Sequence, residues 1–290
     1  MENIDKYHEC FERFEAPLPD KTISTVVHEI IEKQFQHNYT SEILKKIYGC
    51  VDLTSLNTLD TKETIWQLVE RVNKIEGTYP DMPNVAAICV YPVFIETVKQ
   101  ALMAKDVKVA SVAAGFPSSQ TFPEVKIAEV AMAVMSGADE IDVVMNLGDF
   151  MEDLFEELTD ELNEIKDSCR DAKLKIIIET GALATAENIQ RATILALYSG
   201  ADFIKTSTGK GYPGASLEVV YTICNTIKAY EALSGNKVGI KISGGIRTAE
   251  EAVQYYTIVK DILGDEWLNN NYFRIGASNL IMEIEKQLGL

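Results

Sequence analysis

Three charged residues interrupt stretches that are otherwise apolar: Asp142 in DEIDVV, Lys205 in ADFIKTSTG and Lys241 in GIKISGG. A charge inside an apolar strand is costly unless it is paired or put to use. Strand alternation with period two places Phe203, Lys205 and Ser207 on one face, with Ile204 and Thr206 on the other. By the same rule Ile240 and Ile242 alternate with Lys241 and Ser243, and Ile141 and Val143 with Asp142. Bulky apolar members packing outward turn Asp142, Lys205 and Lys241 inward together. An ion-pair network is one reading, but one acid against two lysines leaves it incomplete. The other reading is amine catalysis. A lysine of pKa ~10.4 is protonated at neutral pH, whereas burial beside a second cation can bring it to ~7–8 and free the nucleophile. Either lysine could serve. Lys205 is preferred because Thr206, Ser207 and Thr208 follow it with hydroxyls for a carbonyl substrate, whereas Lys241 runs into a glycine turn.

That turn, Ser243-Gly244-Gly245-Ile246-Arg247-Thr248, and the later Gly276-Ala277-Ser278-Asn279 pair as a candidate phosphate cradle. Glycine lets backbone amides approach an anion, and a following helix N-terminus supplies unpaired N–H groups. Gly209-Lys210-Gly211 offers either a cationic lid or a flexible surface lysine. Cys89 in AAICVYP falls near a strand end, as a pocket thiol or a small buried hydrophobe. Asp52 is a further inward acid, a proton-relay partner or a brace for strand ends. His8, His28 and His37 all precede residue 40, so acid and base work in the periodic part rests on other groups, and that part has no histidine for a metal.

The elements that would position these groups begin near residue 47. Eight short β-branched runs start at Tyr48, Asn84, Val107, Ala138, Lys173, Ala201, Lys237 and Tyr272, each followed by an amphipathic stretch. Asp60 and Thr61 open the first helix, and Thr248 with Glu251 spells a capping box. Ser136-Gly137-Ala138-Asp139 recurs as Ser199-Gly200-Ala201-Asp202, each marking a helix end that returns into a strand. Eight βα units in ~240 residues predict an α/β protein, a (β/α)8 TIM barrel closed so that no strand edge is left unpaired; an open doubly wound sheet is the alternative. Residues 1–46, with helical patterning around Ile23–Gln36 and Ser41–Ile47 and a Pro17-Leu18-Pro19 break, form an N-terminal helical extension to a catalytic domain at 47–290. The extension covers the barrel's lower end or makes a subunit contact.

Composition narrows the function. The 290 residues are 47% hydrophobic and 24% charged, a globular balance, and the net charge of −17 repels nucleic acid and anionic membranes. No run reaches the ~18 apolar residues of a membrane span, and the N-terminus has no signal-peptide pattern, so a cytoplasmic protein is expected. Five scattered cysteines without a Cys-x-x-Cys spacing predict reduced thiols rather than a disulfide or thiolate metal site.

The segments DFIKTSTGK, GIKISGGIRT, DEIDVV, VDLTSLN, NVAAICVYP and KIIIETG together resemble the deoxyribose-phosphate aldolase family. The likeness runs from about Cys50 to Ile281 with the motifs in order. It implies cleavage of 2-deoxy-D-ribose 5-phosphate to acetaldehyde and glyceraldehyde 3-phosphate, with no metal or organic cofactor. Lys205 matches the Schiff-base lysine, and Asp142 and Lys241 the proton-transfer pair. Asp52, Cys89 and Lys210 match pocket residues, and the glycine loops the phosphate site; Thr206 and Gly209 flank the lysine motif. The chain departs from the family pattern at Asn279, where a serine is common, and in the sequence EKQLGL, which lacks the terminal tyrosine of some members. A different phosphorylated aldehyde or ketose, or a silent sugar-phosphate scaffold, are the competing readings. The implied partners are a sugar phosphate and short aldehydes, with a homodimer or higher homo-oligomer left open.

Overall fold

The computed structural model describes residues 6–290. Eight strands, β1 (Val51–Thr54), β2 (Ala87–Val90), β3 (Lys108–Ala113), β4 (Glu140–Val144), β5 (Lys173–Ile177), β6 (Phe203–Lys205), β7 (Gly239–Ser243) and β8 (Phe273–Ala277), pair in chain order. All pairings are parallel, and β8 closes on β1. Each strand lies within its expected sequence window, and the fold is the (β/α)8 barrel, not the open sheet. Helices α1 (Lys6–Phe11), α2 (Asp20–Asn38) and α3 (Ser41–Tyr48) precede β1. Around the barrel follow α4 (Lys62–Thr78), α5 (Ile95–Ala101), α6 (Pro123–Met135), α7 (Leu147–Met151), α8 (Phe155–Cys169), α9 (Thr180–Leu183), α10 (Ala186–Tyr198), α11 (Leu217–Ser234), α12 (Ala249–Leu263) and α13 (Leu280–Leu288).

The repeated Ser-Gly-Ala-Asp segments work as paired devices. Gly137 and Gly200 adopt φ of 101° and 81°, the left-handed turn that ends a helix at little steric cost. The aspartate two residues later then accepts a hydrogen bond from the preceding strand: Asp139 from Val109 N at 2.8 Å, Asp202 from Leu174 N at 2.7 Å. One motif thus ends a helix and fixes the start of two neighbouring strands. Caps form where expected, at Thr61 on α4 and as the Thr248–Glu251 box on α12.

Alternation separates two environments. Ile141, Val143, Ile176, Ile204, Ile240 and Ile242 face outward and pack with the helices in the main core. Inside the barrel, Ala87, Cys89, Ala110 and Val112 of β2 and β3 form a small apolar cluster with Leu56. The inner faces of the other strands carry charge, described below.

The N-terminal helices lie against the helical ring. Helix α2 buries Ile23, Val27 and Ile30 and packs on α11 and α12, while α3 packs on α12 and α13. This accounts for α12, a helix buried on almost every side, including Tyr255, Tyr256, Thr257 and Ile258 in succession. Helix α1, which the sequence pattern did not reveal, sits on α8: Tyr7 Oη and Thr159 Oγ1 are 2.8 Å apart, and Phe11 meets Phe155 edge-on. Among the described residues, no helix is long and apolar enough to cross a membrane.

Candidate active site

Lys205 is the last residue of β6, and its Cα pairs in register with Lys241 of β7. Alternation turns both inward, and the Asp142 carboxylate on β4 takes both: Lys205 Nζ donates to Oδ2 at 2.8 Å and Lys241 Nζ to the same oxygen at 2.7 Å. All three side chains are buried. The three charges expected to converge therefore meet at one carboxylate oxygen.

They do not stand alone. Lys175 of β5 donates to the other oxygen of Asp142 at 3.0 Å, and also pairs with Glu140 and Asp52. Arg274 of β8 grips Asp52 at 2.6 Å and Glu140 at 2.8 Å, and Lys241 also reaches Asp52 at 2.6 Å. Seven buried charges, Asp52, Glu140, Asp142, Lys175, Lys205, Lys241 and Arg274, thus fill the barrel interior. The count of one acid against two lysines is corrected: the cluster holds three acids and four cations.

The electrostatics separate the lysines. Burial lowers the Lys205 pKa, and Lys241 beside it adds to that against a single opposing carboxylate, Asp142, leaving it below the ordinary lysine value. For Lys241, burial also acts downward, but Asp142 and Asp52 outweigh it and the net shift is upward. Burial would push Asp142 up, yet Lys175, Lys205 and Lys241 hold it well below the usual carboxylate range. The arrangement accordingly pairs one lysine biased toward the free amine with one held as ammonium.

Above Lys205 and Lys241 opens a cavity of about 590 Å³, lined by Thr54, Asn57, Gly209, Lys210 and both glycine loops, including Gly244, Gly245, Gly276, Ser278 and Asn279. Backbone approach explains the glycines: a Cβ on Gly214 would lie 1.8 Å from Gly244 O, and Gly244 itself has φ of 102°. The Gly209–Ser216 segment and the β7 loop are thereby packed main chain to main chain, with Ala215 N donating to Ser243 O at 3.2 Å. Lys210 is exposed at the rim, and its ammonium reaches across to Leu56 O.

Three expected pocket residues do not line this cavity. Asp52 is fully buried beneath the cavity, its oxygens taken by Lys241, Lys175 and Arg274. Cys89 is enclosed in the apolar cluster of β2 and β3, and burial raises its thiol pKa. Thr206 faces away: its Oγ1 donates to Ser243 O at 3.1 Å and accepts from Ser243 N at 3.0 Å, joining β6 to β7. Its hydroxyl is therefore not offered to a substrate, and Thr208 is also engaged, donating to Glu179. The sequence reading missed Glu179, a buried acid in the left-handed region at φ of 47°. It accepts from Thr208 N at 3.1 Å and anchors the turn whose Lys210 N in turn bonds Thr208 Oγ1. Arg247, Thr54 and Asn57 also line the cavity without having been singled out. The signal for Glu179 was available, as an acid directly after the β-branched run KIII.

Comparison with known proteins gives a consistent result. Residues 47–262 match the DeoC/LacD family aldolase description. A Caenorhabditis elegans relative is 40% identical over 259 residues, spanning 89% of this chain and 85% of its own length. Human deoxyribose-phosphate aldolase is 39% identical over 255 residues, 84% of this chain and 80% of that protein. A crystal structure from Coccidioides immitis shares the fold with a TM-score of 0.73 at 26% identity, covering 94% of this chain and all of that one.

Proposed function

The chain belongs to the DeoC/LacD aldolase family and is an aldehyde-lyase, and on that premise we propose that it cleaves 2-deoxy-D-ribose 5-phosphate reversibly to D-glyceraldehyde 3-phosphate and acetaldehyde, with Lys205 as the Schiff-base amine. The observation that carries this reading is Lys205 at the cavity floor, sharing one Asp142 oxygen with Lys241. A buried lysine whose pKa is lowered presents a free electron pair to an aldehyde carbon.

In this reading the Lys205 nitrogen adds to C1 of the open-chain sugar, and loss of water leaves a protonated imine. That imine accepts the electron pair of the C2–C3 bond as the C3 hydroxyl gives up its proton. Glyceraldehyde 3-phosphate departs and an enamine remains on Lys205. Protonation of the enamine at C2 and addition of water release acetaldehyde. Lys241, held as ammonium, and Asp142 handle protons at the nitrogen and, through water, at carbon. Amides of the Gly244–Gly245 and Gly276–Asn279 loops hold the phosphate, with Lys210 and Arg247 at the rim supplying positive charge in a chain that is otherwise strongly acidic.

We further take residues 1–46 as an extension and 47–290 as the catalytic barrel, in a cytoplasmic enzyme whose chemistry needs no cofactor. Borohydride reduction in the presence of acetaldehyde tests the assignment. A two-carbon adduct is expected on Lys205, with cleavage lost in Lys205→Ala. Retention of cleavage by that variant, with labelling elsewhere, would refute it.

A further inference from the structure

The barrel interior contains more charge than the reaction uses. Lys175, Glu140 and Arg274 do not line the cavity, and all three are buried, so none touches the substrate. Yet Lys175 occupies the Asp142 oxygen opposite the one shared by Lys205 and Lys241. Its ammonium also contacts Glu140 and Asp52, which Arg274 bridges from the far side. Fully ionised, three carboxylates and four cations leave one positive charge in excess within a low-dielectric core. Buried charge without compensation is relieved by losing a proton. Arginine does not release one at accessible pH. Lys175 touches three carboxylates and Lys241 two, whereas Lys205 touches only Asp142.

We propose that Lys175 is a positioning residue whose charge, balanced against Glu140 and Asp52, makes the cluster one cation too rich and so drives Lys205 into its free-amine form. This rests on the reading of Lys205 as the nucleophile. Facing Lys205 and its partners are Asp52 from β1, Cys89 from β2, Glu140 and Asp142 from β4, Lys175 from β5, Lys241 from β7 and Arg274 from β8; β3 contributes Ala110 and Val112, Lys108 and Lys173 lie at the lower end beside Glu140, and Lys210 stands at the upper rim. Among the cations Lys175 is the most connected, and it aligns Asp142 from below while the two upper lysines share the opposite oxygen. The consequence is a sign rule. Removing a remote cation from the cluster makes Lys205 harder to deprotonate, and removing a remote carboxylate makes it easier.

The experiment is the pH profile of kcat/KM for cleavage in Lys175→Met, Lys175→Arg and Glu140→Gln, with folding checked by circular dichroism and the nucleophile by borohydride labelling with acetaldehyde. Lys175→Met is expected to move the acid limb upward by about 1–2 pH units, Glu140→Gln to move it downward, and Lys175→Arg to leave it near wild type. A merely structural role predicts lower activity or stability without opposed shifts. Folded Lys175→Met and Glu140→Gln variants that label at Lys205 and keep the wild-type acid limb, or that shift it in the same direction, would overturn the proposal. Should Lys175→Met not fold, the downward shift in Glu140→Gln decides alone. Failure of the wild-type enzyme to label at Lys205 would instead remove the nucleophile assignment and the proposal with it.

Discussion

Replacing Gly214 by alanine tests the phosphate cradle separately from the amine. A Cβ there would lie 1.8 Å from Gly244 O, 2.5 Å from its carbonyl carbon and 2.7 Å from its Cα. Real Cβ atoms stay beyond 3.0 Å of such neighbours, so the two loops must part by at least about 1.2 Å, the difference between these limits. No flexible side chain can yield, because the obstructing atoms are main chain. Hydrogen bonds made at ~2.7–3.2 Å do not survive a displacement of that size. A hydrogen bond to a charged group contributes ~1.5–3 kcal/mol, so losing one raises KM for the phosphorylated sugar by roughly 10- to 100-fold. Acetaldehyde has no phosphate, and Lys205 sits on the cavity floor. Its borohydride trapping in Gly214→Ala should therefore proceed at the wild-type rate. Steady-state cleavage of 2-deoxyribose 5-phosphate and of unphosphorylated 2-deoxyribose, measured alongside trapping, separates the outcomes. An unchanged KM for the phosphorylated sugar, or equal loss with both sugars in a folded variant, would refute the placement of the phosphate.

Asp142→Asn leaves three buried lysines, two of them held as ammonium, without their shared carboxylate; cleavage should fall ~10²- to 10⁴-fold and stability by ~3–5 kcal/mol, read by steady-state kinetics and denaturant unfolding. Lys205→Met removes the amine whose lowered pKa costs stability at neutral pH and leaves three acids facing three cations, so the inactive variant should melt about 2–4 °C above wild type for a gain of ~1 kcal/mol, by calorimetry. Asp142 and Asp52 are depressed in the folded state because their lysine and arginine partners outweigh burial. Their stabilisation is present above the unfolded value of ~3.9 and is lost as pH falls through the folded values, so circular dichroism should show the barrel intact to about pH 4 and unfolding below it. Lys175 and Lys241 are raised; their contribution is complete below the unfolded value of ~10.4 and is lost only as pH climbs through the still higher folded values, so an alkaline transition before about pH 10 would contradict the pairing.

The barrel was legible because its grammar is local: period-two strands, helix caps and the Ser-Gly-Ala-Asp repeats each act within a few residues. Asp142, Lys205 and Lys241 stood out because each interrupts an apolar run. Lys175 and Arg274 did not, because KLKIIIETG and YFRIGAS begin at the charged lower rim, where a lysine or arginine reads as a solvated strand end. Glu140 is disguised in the same way by Asp139, its exposed-side neighbour in DEIDVV. Whether such a residue points inward depends on the alternation phase, which outward packing against α6, α8 and α12 settles. Thr206 shows the converse error. It was drawn toward the substrate by its nearness to Lys205 in sequence, although one step along a strand reverses the face. Phase therefore carries functional information that composition lacks. Applied consistently from Phe203 through Ser207, it separates Thr206 from the cavity; applied to β4, β5 and β8, it gathers Glu140, Lys175 and Arg274 beneath Asp142, where their charges can act on Lys205 without contact.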